Sequence, residues 1–166
     1  KWVGGLSHDL PTGFIESTLE FLDYFEPKVD EFENLLGNNK IFVERSADIG
    51  VIPAEVAINY GVTGPNLRAS GVNWDLRKDD PYSAYNRLDF EVPVGNGIKG
   101  TVGDSWDRFY VRIIEIRESV KIIRQALASM PKDGDVHQSL PKKLRPPKGS
   151  IYSRTESPRG DLGYYI

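Results

Sequence analysis

The sequence predicts a mainly helical α+β chain with a small β portion at its C-terminal end. Three patterns carry that prediction. Phe109, Ile113, Ile116, Val120, Ile123, Leu127 and Met130 step alternately by four and three residues, the sustained apolar stripe of a buried bundle helix. Ile15, Leu22, Phe25, Val29, Phe32 and Leu36 step by seven, then by threes and fours, so they share one helical face. Ile151–Thr155 and Leu162–Ile166 read as short strands on either side of the turn Ser157-Pro158-Arg159-Gly160.

Taken in order, the elements begin at Asp9-Leu10-Pro11. Asp9 is a candidate cap there, and Pro11 is tolerated in a first turn because its missing N–H would be unpaired anyway. The long helix that follows contains Pro27, which is expected to kink or split it, and Gly37-Asn38 ends it. A short helix is predicted over Lys40–Arg45 and another over Pro53–Tyr60, stopped by Gly61. Residues 61–104 hold seven glycines together with Pro65, Pro81 and Pro93. A connection this long in a compact domain is functional or disordered. Its aromatics, Trp74, Tyr82, Tyr85 and Phe90, argue for an ordered loop buried against something, with one strand at Asp89–Val92. The strongest helix then runs from about Ser105 to Ser129 and is ended by Pro131 and Gly134. The chain divides as a helical part at 1–130 that includes the 61–104 loop, a Pro-rich linker at 131–149, and the start of a β portion at 150–166. It reads as one incomplete domain, an internal piece of a longer protein: Met130 is the only methionine, and the last strand has nothing after it.

Composition narrows the chemistry. Apolar residues make up 39% and charged residues 27%, a folded rather than a disordered balance. There is no cysteine, which excludes a disulfide scaffold, a thiolate-held zinc or iron–sulfur centre, and a thiol nucleophile in this chain. No apolar run approaches the ~20 residues that span a bilayer, and no signal peptide is visible, so the chain reads as cytoplasmic or peripheral. Residues 1–50 carry four basic and ten acidic groups, and this acidic half argues against nucleic acid as a partner. The basic Lys142, Lys143, Arg145 and Lys148 alternate with prolines rather than aromatics, the composition of a solvated loop or of a patch for a protein partner.

Among the constellations, Gly95-Asn96-Gly97-Ile98-Lys99-Gly100 matches the dinucleotide-binding glycine pattern literally. Its surroundings fail the βαβ test that gives the pattern meaning: the helix starts about five residues late, and no second strand ending in an acid follows. It reads as a glycine-rich connection. His8 and His137 sit in separate polar loops with no ligand spacing, so no metal site is predicted. Ser157 lacks a base beside it and a nucleophile elbow around it. No residue reads as a catalytic acid, base or ligand. The densest stretch is Arg68-Ala69-Ser70-Gly71-Val72-Asn73-Trp74-Asp75-Leu76-Arg77-Lys78. Guanidinium groups pair bidentately with carboxylates, so Arg68, Asp75 and Arg77 are expected to form a buried network that fixes an irregular loop; a role facing substrate is the alternative. Arg108 and Arg112 beside Asp104 and Asp107, and the row Arg117, Lys121 and Arg124, read as solvated or subunit-facing helix surface.

The run Gly64-Pro65-Asn66-Leu67 leading into Arg68–Lys78, followed by Pro81-Tyr82, resembles the signature loop of the D subunit of the proton-pumping NADH:quinone oxidoreductases, respiratory complex I. The resemblance extends through Gly103-Asp104, Asp107-Arg108, Val111-Arg112, Glu118–Gln125, Pro147-Lys148-Gly149 and Glu156–Tyr165, and Gly4-Gly5 with Asp9-Leu10-Pro11 fit the family's earlier pattern. It covers nearly the whole chain. It implies a fragment of a fold like that of the large subunit of nickel–iron hydrogenases, with the metal centre lost. It implies a peripheral place on the cytoplasmic side of the inner membrane, or the matrix side in a mitochondrion. There, beside the iron–sulfur subunit carrying the terminal cluster, it would wall the chamber where quinone accepts electrons, coupled to proton translocation in the membrane arm. NADH, FMN and the iron–sulfur clusters would belong to other subunits, no cofactor would be bound by this chain, and quinone would be the substrate of the whole complex. Arg68, Ser70, Asp75, Arg77 and Lys78 become chamber-side or loop-ordering candidates, and Glu156 and Arg159 partner-facing ones. The family's quinone-headgroup histidine and tyrosine precede the matched stretch. Two departures stand out: Lys1-Trp2-Val3 replaces a segment that usually carries an arginine, and the 132–149 linker is shorter than in many members. The alternatives are a membrane-bound hydrogenase-type large subunit and a non-catalytic scaffold fragment.

Overall fold

The structure, a computed structural model, describes residues 4–131, 133–141, 143 and 145–166. Lys1-Trp2-Val3 and Lys142, singled out above, lie outside the described residues. In chain order the elements are α1 (Phe14–Phe32), continued by a wider π-type turn (Glu33–Gly37), α2 (Lys40–Ser46), α3 (Ala54–Asn59), α4 (Gly64–Ala69), α5 (Leu76–Asp79), a 3₁₀ turn (Tyr85–Arg87), α6 (Ser105–Ala128), β1 (Tyr152–Ser157) and β2 (Gly160–Tyr165). The mainly helical character and the small β portion are as the sequence predicts. The two strands form one antiparallel hairpin, with Tyr152 opposite Tyr165 and Ser157 opposite Gly160.

Helix α6 organises the rest. Asp104 caps it by accepting from the Asp107 N–H at 2.8 Å, satisfying a donor that the first turn otherwise leaves free. Ile113, Val120 and Leu127 of the predicted stripe are buried. Trp106 and Val111 are buried off the stripe, because α1 packs on one side of α6 and α4 on another. The Trp106 indole N–H donates to the Gly37 carbonyl at 3.0 Å, tying the end of α1 to the start of α6.

Several expectations need correction. Helix α1 starts at Phe14 behind Gly13, at φ +80°, and among the described residues Asp9 accepts only from the neighbouring Leu10 N–H. Pro27 does not split α1. Arg124 grips Asp23 and Glu26 at 2.7 and 2.6 Å, and Arg117 grips Asp30 and Glu33 at 2.7 and 2.6 Å, so cross-helix ion pairs bracket the proline. Arg117 and Arg124 therefore face α1, while Lys121 between them is exposed and pairs with Glu118 of its own helix at 3.0 Å. Of the predicted α1 face only Leu22 and Val29 are buried, while Ile15, Phe32 and Leu36 stand exposed.

The 61–104 segment is more regular than predicted, since it contains α4, α5 and the 3₁₀ turn. Its predicted strand at Asp89–Val92 is absent. The backbone there is extended but finds side chains instead of a partner strand: Asp89 N–H donates to Gln125 Oε1 and Glu91 N–H to Glu118 Oε2, both at 2.8 Å. The Pro-rich stretch contributes an isolated bridge between Gly5 and His137.

Candidate functional site

The segment that precedes α4 ends at Thr63, and Pro65 sits at the start of the helix, where its missing N–H does no harm. One turn later α4 delivers Arg68 into the interior, with its side chain 1% exposed. A buried guanidinium requires partners for its charge and its five N–H groups, and neighbouring segments supply them. Arg68 Nε and Nη2 both lie 2.7 Å from Glu115 Oε1 on α6. Nη2 also meets Glu156 Oε1 of β1 at 2.9 Å. Nη1 donates to the Trp74 carbonyl at 3.1 Å and lies 3.6 Å from Asp75 Oδ2.

Asp75 has three duties. It caps α5 through the Arg77 N–H at 2.9 Å. It accepts a bidentate pair from the Arg77 side chain at 2.9 and 2.6 Å. It also faces Arg68. Burial pushes its carboxyl up, but the Arg77 hydrogen bonds and the charges of Arg77 and Arg68 outweigh burial and hold it below its usual range. Burial pulls the Arg77 guanidinium down, and its bonds to Asp75 more than reverse that.

The structure thus brings Arg68, Asp75, Arg77 and Glu156 of the candidates into one ionic knot. Ser70 lies beside it, buried at the end of α4, its hydroxyl 3.4 Å from the Asn66 carbonyl. Lys78 is outside the knot: its ammonium lies over the Phe90 ring, 4.7 Å from the centroid. Arg159 is exposed at the hairpin turn and lines the mouth of a cleft of about 600 Å³, with Asn66, Arg112, Glu115 and Glu156 further in. Sequence reasoning missed Glu115. A lone acid between Ile114 and Ile116 gave little signal, although its place one turn after the buried Val111 put it on an inward face. Tyr82, whose hydroxyl accepts from the Glu156 N–H at 3.1 Å, was also missed. Arg108 and Arg112 are structural rather than solvated. Arg108 donates to the Gly103 and Gly50 carbonyls and to Ser105 Oγ, and Arg112 to Asn66 Oδ1 and the Arg108 carbonyl.

The glycine-rich stretch has a different occupant from a phosphate. The carboxylate of Asp107 accepts from the Gly97 N–H at 3.1 Å and the Gly103 N–H at 3.4 Å. A side chain on Gly95 would collide with Ala69. The chain's own carboxylate fills the anion-binding backbone. Ser157 Oγ donates to the Gly160 carbonyl at 2.7 Å and closes the hairpin turn. Among the described residues no group of three or more His, Cys, Asp or Glu side chains is placed to hold a metal ion, and no helix is long and apolar enough to cross a membrane.

A helical body clamped by α6 to a hairpin through one buried arginine defines a mainly helical protein with a small antiparallel sheet, and comparison places it among known ones. Residues 1–143 match the family described as respiratory-chain NADH dehydrogenase, 49 Kd subunit, and the chain belongs to that family. It is 53% identical to the D subunit of the NADH-quinone oxidoreductase of Chlorobium phaeovibrioides over 167 aligned residues, covering 99% of this chain and 42% of that protein. It is similarly 53% identical to the D subunit of Chlorobaculum tepidum, and 50% identical to a D subunit of Anaeromyxobacter dehalogenans over 99% of this chain and 43% of the relative. The chain spans less than half the length of these curated relatives.

Proposed function

We propose that this chain forms part of the quinone-chamber subunit of a proton-pumping NADH:quinone oxidoreductase. It lies peripherally on the cytoplasmic side of the inner membrane, or on the matrix side in a mitochondrion. The single observation that carries this reading is the match over 99% of the chain to D subunits of NADH-quinone oxidoreductases. The fold is then a piece of a nickel–iron-hydrogenase-like large subunit, with 61–104 inside the helical part and 150–166 opening the β portion. Electrons from NADH pass through FMN and iron–sulfur clusters held by other subunits to quinone, coupled to proton translocation in the membrane arm.

The role of this chain's own residues follows from their geometry. Arg68, Asp75, Arg77 and Glu156 hold the wall segment in one shape by tying α4 and the start of α5 to α6 and β1, and Ser70 seats the end of α4. Lys78 covers Phe90. Arg159 stands at the exposed turn to meet a partner, the iron–sulfur subunit with the terminal cluster. Exposed apolar side chains such as Phe21, Tyr24, Leu35 and Ile41 offer further surface of the kind that assemblies cover.

The test is to purify the complex from native membranes through a tag on the full-length protein and assay NADH-dependent quinone reduction. Co-purification of iron–sulfur subunits with that activity is expected. Recovery of the protein alone, with no redox partner, overturns the reading.

A further inference from the structure

The ionic knot does not balance. Arg68 and Arg77 bring two positive charges, while Asp75, Glu115 and Glu156 bring three negative ones. One carboxylate is in excess in a place largely shut from water, where an uncompensated charge is costly. The three carboxylates are not equally provided for. Both oxygens of Asp75 are engaged by Arg77. Glu115 receives two Arg68 N–H groups on one oxygen and is 17% exposed, so water reaches it. The Glu156 side chain is 5% exposed, and only its Oε1 has a partner; Oε2 is closed to solvent and has none among the described residues.

The groups around Glu156 give no relief to that oxygen. Arg68 from α4 binds the other oxygen. Asp75 and Arg77 at the start of α5 are committed to each other. The Tyr82 hydroxyl faces the Glu156 backbone N–H, and Tyr85 lines the cleft. On α6, Arg112 is held by Asn66 and the Arg108 carbonyl, and Glu115 adds negative charge. In the hairpin itself, Arg159 is exposed at the turn, and Asp161 is a further carboxylate, 3.4 Å from Arg154.

We propose that Glu156 is a proton-binding site: the knot takes up one proton at its unpartnered Oε2, and the grip of the hairpin on the helical body follows that proton. The neutral acid leaves two carboxylates facing two guanidiniums and no bare buried charge. Glu156 lines the cleft, while its Oε2 is itself closed to solvent. Burial pushes this carboxyl above its ordinary value, and the charges of Asp75 and Asp161 add to the rise, against the opposing charge and hydrogen bond of Arg68. A raised value in the folded state means that the stabilising contribution is complete below the ordinary carboxylate range. It is lost as pH climbs through the raised value. The hairpin is therefore held more tightly in the protonated state. The inference rests on the knot alone and stands whether or not the complex reduces quinone.

Hydrogen exchange of the hairpin amides, in the full-length chain within its complex, tests this. Each rate is corrected for the intrinsic effect of pH. As pH climbs from the ordinary carboxylate range towards about pH 8, through the raised value, the wild-type hairpin is expected to open several-fold more readily. Glu156→Gln, which keeps the neutral shape at every pH, is expected to be flat within about twofold on the same scale. Glu115→Gln removes the excess negative charge while leaving Glu156 in place, and is expected to move the wild-type response to lower pH. It serves as the second test should Glu156→Gln fail to assemble. A wild-type hairpin with no pH response overturns the proposal. So does the same response in Glu156→Gln, or an unmoved response in Glu115→Gln.

Discussion

Gly64 and Gly160 meet back to back where the hairpin lands on α4. A Cβ on Gly64 would stand 2.6 Å from the Gly160 nitrogen and closer still to its Cα, and both glycines have positive φ, +67° and +127°. No side chain fits between these backbones, and the φ values add strain to any that is introduced. Gly64→Ala and Gly160→Ala are each expected to free the hairpin from the body. Limited proteolysis of the full-length chain checks this: cleavage within 150–166 should accelerate several-fold while α6 stays protected.

Arg68 is the cation of the knot that Glu115 and Glu156 share. Removing it leaves Glu115 and Glu156 facing each other with no cation between them. Breaking a buried pair from one side costs about 3–5 kcal/mol. Arg68→Ala is expected to lose stability on that scale in denaturant titration of the full-length chain. Arg68→Lys should recover only part of it, since an ammonium cannot serve Glu115, Glu156 and the Trp74 carbonyl from one planar fork.

Asp75 gives the knot an acid limb. Its carboxyl is held below the usual range, so its contribution is present above the ordinary carboxylate pKa and is lost as pH falls through the lowered value. Asp75→Asn is expected to be the less stable form near neutrality, with the gap to wild type closing in acid. Thermal unfolding followed by circular dichroism across the acid range reads this directly. A gap that stays constant down to the lowest pH contradicts it.

The seam between α1 and α6 is a weaker device. Its ion pairs are largely exposed, and such pairs are worth about 0–1 kcal/mol and fade with salt. Arg117→Ala is expected to destabilise by less than about 1 kcal/mol, with the difference shrinking at high ionic strength. Denaturant midpoints at low and high salt measure it.

Much of this architecture could be read from spacing. The α6 stripe and the turn at Ser157–Gly160 are local signals, and both elements formed within a residue or two of their predicted ends. Arg68, Asp75 and Arg77 lie within ten residues of one another, so their network was also visible. Glu115 and Glu156 come from 47 and 88 residues away from Arg68, and no local pattern announces such a meeting. Pro27 misled because Leu22 and Val29, on either side of it, are buried in the core and keep α1 continuous. Asp89–Val92 misled because extended backbone can be satisfied by Gln125 and Glu118 side chains as well as by a strand.

The role proposed for the Arg68 knot is to shape a wall at which quinone is reduced. The most direct measurement uses the assembled complex carrying Arg68→Ala. NADH-dependent quinone reduction is compared with NADH oxidation by a soluble artificial acceptor that takes electrons before they reach quinone. The account predicts that quinone reduction falls about tenfold or more per assembled complex, the scale of a lost 1.4 kcal/mol of transition-state stabilisation, while the artificial reaction is kept. An assembled complex that reduces quinone at the wild-type rate without Arg68 would contradict it.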